Sequence, residues 1–555
     1  MEWVFFLSLL LAFLIGKGIY DRRSLNYKTL NKIRREYGTL NHLSDEDYVP
    51  VFLTDYFKSK QDTFVIDDIT ANDLSFDDIF LILDKTMSGP GSEYLYSMIR
   101  TPVFDSEALK KRENLIEFFS HNKDAREKTL LALVMSKKTK KISYFSCTGL
   151  FKNADIGNGF KHYLCIVCLI LSVVSACVFK SALFIALPVI SVCVNMVTYF
   201  ADKSKMSNYI YGMKCALAMI KSGEKIAFCD FPELKDEIDT LKECNKKLSP
   251  LKHAAWAINT NVSGDLLSIF MDYVNMIFHF DLISVSRAIK CAGENEETLL
   301  KMFETLGMLD SVISVCNLRA SSYKTCVPEI GNGNNFEFTG AYHVLLKNPV
   351  PVSLSESKNI LLTGSNASGK STFLKTVATN AIFAETIHTC FADEFKMPYY
   401  KVISSMALND SIILGESYYV TEIKALKRII DASTDIPVLC FVDEVLRGTN
   451  TTERIAAQVA ALKFLAKGNR KVFAATHDTE LTGLLKEYYE NYHFEESIND
   501  DNEITFDYML KPGPSTTKNA ILMLKAYGYD QKIIDDAVYM SDYFAKNMTW
   551  NTPED

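Results

Sequence analysis

Apolar residues follow three different rhythms along this chain. Residues 3–20, 163–179 and 181–200 are almost unbroken apolar runs, interrupted by Lys17 in the first and by Lys180 between the other two. Each is close to the roughly 20 residues a helix needs to cross a hydrocarbon layer. Residues 76–160 and 202–325 instead repeat apolar positions at three- and four-residue spacing, as in Leu115, Ile116, Phe118 and Phe119 and through 265–289. That spacing predicts long helices. After Asn332 the rhythm changes again. The short apolar runs 359–363, 438–442 and 471–475 alternate with helix-length segments, which predicts a parallel α/β sheet. The polar stretches 21–75 and 543–555 read as a small helical linker and a tail.

One of the short runs leads into a motif. Residues 364–371 read GSNASGKS and fit the spacing G-x-x-x-x-G-K-[ST]. Such a loop curls backbone N–H groups around phosphates, which side chains at Gly364 and Gly369 would obstruct. Lys370 reaches the outer phosphates and the Ser371 hydroxyl ligates Mg²⁺. Gly364, Ser365, Asn366, Ala367, Ser368, Gly369, Lys370 and Ser371 are therefore candidate ATP-binding residues, with Thr372 opening the helix that follows. The phosphates would sit at that helix's N-terminus.

Two further runs end in candidate chemistry. Residues 439–444 are an apolar strand closing on Asp443 and Glu444. Beside a phosphate loop, the first carboxylate suits the Mg²⁺ shell and the second can polarise an attacking water. Residues 474–478 place His477 after the next predicted strand, on the same sheet edge, where a neutral imidazole can hydrogen-bond a terminal phosphate or the water. Gly415-Glu-Ser417 precedes a helical stretch and by itself reads only as a helix cap.

Composition narrows the context. The 555 residues suffice for about three or four domains. Formal net charge is −8, which lacks the basic footprint of a dedicated nucleic-acid binder. Thirteen cysteines show no metal-ligand spacing, and Cys165 and Cys168 lie inside an apolar run, so reduced thiols are expected. Arg22, Arg23, Lys28, Lys32, Arg34 and Arg35 follow the first apolar run, which reads as an uncleaved anchor with its C-terminal side in the cytoplasm. Lys161, Lys203 and Lys205 flank the second pair, which reads as a membrane hairpin rather than a buried pair of helices. Three spans in all place the phosphate loop on the cytoplasmic side of a bacterial-type inner or plasma membrane.

The accumulated motifs resemble the MutS family of ABC-type ATPases. The resemblance rests on TGSNASGKST at 363–372, FVDEVLRGTN at 441–450, ATH at 475–477 with Glu480-Leu-Thr482, and YMLKPG at 508–513. Upstream, Asp84, Thr86, Gly91, Pro102, Asp105 and Arg112, then Asp310 and His343, are similar to that family's helical core and its lead-in to the ATPase. The resemblance implies an α plus α/β fold. A helical core and lever domain at 76–330, carrying the hairpin 163–200, would precede a P-loop ATPase domain at 331–542, with residues 1–20 as the anchor. It also implies roles. Asn366, Lys370 and Ser371 would hold ATP and Mg²⁺, Asp443 would support the metal and Glu444 would activate water. His477 would sense the terminal phosphate. Ser417 would reach the nucleotide of a second subunit in a homodimer, and DNA would be the partner.

The resemblance also has departures. Only about 80 residues precede the core, so the mismatch-reading domains of that family are expected to be absent. The basic runs at 137–141 and 22–35 lie beside apolar segments, where anionic lipid explains them as well as DNA does. Three functions stay open on sequence: a membrane-anchored MutS-type ATPase that clamps DNA, an ATP-driven switch acting on a membrane or protein partner, and an ABC transporter subunit. The last has least support, because the segment around Ser417 does not carry the transporters' LSGGQ signature.

Overall fold

The computed structural model describes residues 17, 20–21 and 23–553, apart from 45–46, 61–62, 140–141, 153, 155–158, 255–265, 332–334, 366–367, 407–417, 445, 447–449, 499–503, 516–520, 522–523 and 525–526. The architecture mixes helical and sheet parts, divided between two compact units. The apolar run at 3–20 lies almost wholly outside the described residues.

The first unit comprises residues 1–61, 81–98 and 111–322 and is helical throughout its described secondary structure. Its two long apolar runs form α1 (Phe160–Phe179) and α2 (Ala182–Ala227). Lys180 closes α1 in the left-handed region at φ +45°, its N–H donating to Ala176 O at 3.2 Å. The rings of Phe179 and Phe184 stack across the turn at 4.6 Å. Apolar windows in Phe160–Phe179 and Ala182–Ser207 have mean hydropathies of 2.4 and 2.1, and only 11% of each is buried. By length and composition both can cross a membrane. The rest of α2 is different. Met213, Leu217, Ile220 and Ile226 are buried, and α2 packs on α3 (Lys235–Ala254) and, farther along the chain, on the helix that precedes the second unit.

Three more helices complete this unit's C-terminal part: α4 (Leu266–Phe278), α5 (Phe280–Glu294) and α6 (Glu296–Arg319). Two buried carboxylates cap helices far away in sequence. Asp310 of α6 accepts from the backbone N–H of Met87 (3.1 Å) and Ser88 (2.8 Å), satisfying the start of the helix Gly89–Arg100. Glu93 accepts from the N–H of Tyr144 (2.6 Å) and Phe145 (3.1 Å) and from Ser143 Oγ (2.7 Å), at the start of Tyr144–Gly149. Burial pushes the Asp310 carboxyl up to about 6 and the Glu93 carboxyl up to about 7, although their donors pull the other way.

The second unit gathers residues 62–80, 99–110 and 323–555. Its described strands are β1 (Glu329–Ile330), β2 (Phe336–Ala341), β3 (Val352–Glu356), β4 (Asn359–Thr363), β5 (Glu394–Met397), β6 (Lys401–Ser405), β7 (Val438–Asp443), β8 (Arg470–Ala475), β9 (Tyr489–His493), β10 (Glu496–Ile498), β11 (Ile504–Phe506) and β12 (Lys511–Pro512). The main sheet has the order β12-β9-β4-β8-β7-β6 and is parallel except for β12 at its edge. A smaller sheet runs β1-β5-β2-β3, and β10 pairs with β11.

All six residues of β7 are buried, as expected of a central parallel strand covered on both faces. Phe473 anchors the core beneath the site, stacking on Phe441 at 5.3 Å and meeting Phe336 at 5.5 Å and Phe373 at 6.3 Å. Between the strands lie α7 (Lys370–Thr386), α8 (Tyr418–Asp431) and α9 (Thr451–Leu465). Helix Asp68–Asp73, in the stretch read from sequence as linker, packs on edge strand β6: Ser404 Oγ donates to Asp73 at 2.6 Å and Ser404 N to Thr70 Oγ1 at 3.2 Å. An edge covered this way does not template pairing with another chain.

Candidate functional site

Three loops meet at the C-terminal edge of the main sheet, after β4, β7 and β8. The first is the glycine-rich turn from β4 into α7. Gly364 has φ +139° and Gly369 φ +111°, where side chains are rarely accommodated. A Cβ on Gly364 would lie 2.7 Å from Phe494 O and 3.0 Å from Ser368 Oγ. Lys370 begins α7, is buried, and donates to Gly364 O (2.8 Å) and Ser365 O (2.7 Å). Phe373 N closes the first helical turn onto Gly369 O at 2.8 Å. The first N–H groups of a helix have no acceptor within it, so the start of α7 is suited to an anion.

The second loop follows β7. Ser371 Oγ donates to Asp443 Oδ2 at 2.5 Å, so the predicted hydroxyl and carboxylate metal ligands adjoin each other. Glu444 comes next, in the left-handed region at φ +49°, with its N–H donating to Ala475 O at 3.0 Å. The third loop follows β8, which pairs with β7 so that Asp443 lies opposite Ala475. His477 therefore emerges beside Glu444, with its Nε2 against Glu444 Oε1. Thr476 N donates to Leu362 O at 2.9 Å, tying the third loop back to β4. Asp478 holds Arg454 of α9 bidentately at 2.7 and 3.0 Å.

The structure thus brings together Gly364, Ser365, Ser368, Gly369, Lys370, Ser371, Thr372, Asp443, Glu444 and His477. Asn366, Ala367 and Ser417, also expected at the site, lie outside the described residues, as do residues 447–449. A cavity of about 440 Å³ opens over the turn, lined by residues that include Ser368 to Thr372 and Glu444. That volume suits a ligand of nucleotide size. Tyr342, His343, Phe494 and Tyr508 also line it, and motif reading did not assign them to the site.

His343 is informative. Leu345 N donates to its Nδ1 at 3.3 Å, so that nitrogen carries no proton and Nε2 does. Burial, with Lys375 nearby, lowers the imidazole pKa to about 4, and the ring is neutral. Its buried Nε2 has no hydrogen-bond partner among the described residues, and neither does the buried Ser368 Oγ. Two orphaned polar groups, a buried ammonium and a cradle that a Cβ would fill fit a polyanionic ligand. The hydroxyl and carboxylate donors of Ser371 and Asp443 fit a hard divalent cation such as Mg²⁺. His343 precedes the predicted strands, and the sequence signal at this position was only its place in the lead-in.

Residues 360–544 match the family model of MutS domain V. The chain is a divergent member of the MutS family. It is 27% identical over 251 residues to the DNA mismatch repair protein MutS of Fusobacterium nucleatum, covering 43% of this chain and 28% of that protein. It is 29% identical over 265 residues to the protein of the same description from Persephonella marina, covering 46% and 30%. With that from Pseudothermotoga lettingae it shares 31% identity over 199 residues, covering 34% and 24%. The chain therefore spans under a third of the length of these curated MutS relatives. The matched region contains β4, the glycine-rich turn and the loops after β7 and β8.

Proposed function

We propose that this chain is a MutS-type ATPase that binds and hydrolyses ATP with Mg²⁺ in the second unit. The observation that carries it is the convergence of Lys370, Ser371, Asp443, Glu444 and His477 on one sheet edge beside a cradle only glycine fits. Lys370 and the N–H groups of the turn would hold phosphate oxygens, and Ser371 and Asp443 would hold Mg²⁺. Bound there, the cation supplies charge neutralisation at the phosphates. Glu444 accepts the proton of the attacking water. His477, paired to the same carboxylate, orients it and limits its rotation. His343, which lines the same cavity, offers its Nε2–H. A homodimer with ATP at its interface and closure around DNA follow from the MutS relationship, and the relatives' description as mismatch repair proteins makes branched or mismatched DNA the ligand to test first.

The two exposed apolar helices support placing this ATPase at a membrane, with α1 and α2 as spans and the second unit on the cytoplasmic side. The same helices, with a net charge of −8, favour a second reading in which ATP turnover drives a membrane or protein partner without DNA. The experiment that separates them is ATP hydrolysis by the purified full chain with and without duplex, mismatched and branched DNA, across salt. Stimulation that falls with salt supports the DNA-clamping function. Hydrolysis indifferent to every DNA supports the second. Glu444→Gln retains ATP binding and lowers turnover on the order of 10²–10⁴-fold; unchanged turnover removes Glu444 from its role.

A further inference from the structure

Two cysteines face each other across an isolated antiparallel bridge in the second unit. Cys326 N donates to Cys390 O and Cys390 N to Cys326 O, both at 2.9 Å. Residues exchanging both hydrogen bonds sit with Cα atoms about 5.5 Å apart and side chains on one face. Disulfides form across Cα separations of about 4.4–6.8 Å. Both cysteines are thiols in this structure. They differ in access: Cys326 is half-buried, whereas Cys390 is fully buried.

We propose that Cys326 and Cys390 form a reversible thiol–disulfide exchange site that tunes the cavity above the glycine-rich turn. The oxidant is a low-molecular-weight disulfide. The Cys326 thiolate attacks one sulfur of that disulfide, forming a mixed disulfide and releasing one small thiolate. The Cys390 thiolate then attacks the Cys326 sulfur and releases the second small thiol. Two protein thiols are oxidised by two electrons, one small disulfide is reduced to two thiols, and the two protein protons leave with them. A hydrogen-bonded pair of this kind holds its Cβ atoms wider than the ~3.8 Å of a relaxed disulfide, so the bond is readily reduced again.

The link to the cavity runs through Tyr342, which lines it. Tyr342 OH donates to Lys324 O at 2.9 Å, two residues before Cys326. Tyr342 N donates to Phe391 O at 3.0 Å, one residue after Cys390. Tyr342 O accepts from Asn380 Nδ2 at 3.2 Å, and Asn380 Oδ1 accepts from Phe391 N at 2.6 Å. The Cys390 thiol itself donates to Asn380 O at 3.3 Å, a bond that oxidation deletes. Both segments that hold Tyr342 are thus drawn together when the disulfide closes. This coupling rests on the cavity being the nucleotide site; the exchange chemistry does not.

The test is a titration of the purified full chain with ratios of oxidised to reduced glutathione, quenched by acid and alkylated. Peptide mapping reads the disulfide, and equilibrium titration with a fluorescent ATP analogue reads binding. The expected result is a Cys326–Cys390 linkage, reversed by dithiothreitol, with a threefold or larger change in nucleotide Kd that Cys326→Ser abolishes. Absence of that linkage at full oxidation overturns the site, whether or not nucleotide binds. Linkage with an unchanged Kd overturns the coupling to the cavity, and a chain that binds no nucleotide in either state, while still forming the linkage, overturns the ATPase reading alone.

Discussion

Replacing Gly364 by alanine tests the geometry of the turn directly. At φ +139° an alanine is held in a region that costs about 1–3 kcal/mol. Its Cβ also meets Phe494 O at 2.7 Å. That carbonyl cannot retreat cheaply, because Phe494 N is bonded to Thr363 O at 3.2 Å and its buried ring packs on Phe373 at 5.9 Å. The turn must yield instead, and Gly364 O, an acceptor for Lys370, moves with it. If the strain is relieved only by leaving the binding geometry, binding must repay it, and nucleotide affinity falls roughly 5- to 150-fold. Gly483→Ala is the control: no atom lies within 4 Å of its added Cβ, in the helix Glu480–Leu484, and alanine there is neutral or slightly stabilising. Equilibrium titration with a fluorescent ATP analogue, with thermal melts of both variants, gives the comparison. Gly364→Ala binding within twofold of wild type, or an equal loss in Gly483→Ala, refutes the reasoning.

Other perturbations read the same structure. Lys370→Ala removes the ammonium that begins α7 and abolishes measurable ATP-analogue binding; retained tight binding shows that the turn does not hold phosphates through it. Glu93 has its pKa raised from 4.5 to about 7 by burial, so the folded chain binds this proton more tightly than the unfolded chain. Its contribution is complete below about pH 4.5 and lost as pH rises to 7, on the order of 3 kcal/mol in all. Urea midpoints between pH 5 and 8 are expected to fall for wild type and to flatten in Glu93→Gln, and parallel curves contradict the assignment. Deleting residues 163–200 together with 1–20 is expected to move the protein from floating membranes to the soluble fraction, and continued flotation identifies another anchor.

What was legible in the sequence divides along the range of the interactions. The glycine-rich turn is written in eight consecutive residues. Asp443, Glu444 and His477 are separated along the chain, but each follows an apolar strand of one parallel sheet, so strand order alone places them on one edge. The apolar helices α1 and α2 were readable for the same reason, since length and composition define them. The rest of the cavity lining was not. Tyr342 and His343 precede β3, Phe494 follows β9, and Tyr508 reaches in from between β11 and β12, with no shared period or motif. Nor could the capping role of the carboxylates be foreseen: the resemblance singled out Asp310, but its partner Ser88 lies 222 residues away. The cover on β6 comes from Thr70 and Asp73, which polar composition assigned to a linker.

The 46-residue α2 spans about 69 Å at 1.5 Å per residue, without a break at the point where its exposed apolar stretch gives way to buried positions. Its internal proline, Pro188, lies in the apolar stretch, leaving the remainder free of any built-in pivot. If lipid sets the inclination of the first half, that inclination is imposed on the second, and through Met213, Leu217 and Ile220 on the helices around it. Bilayer thickness then becomes a mechanical input: a thinner layer that tilts α2 applies a torque to the first unit.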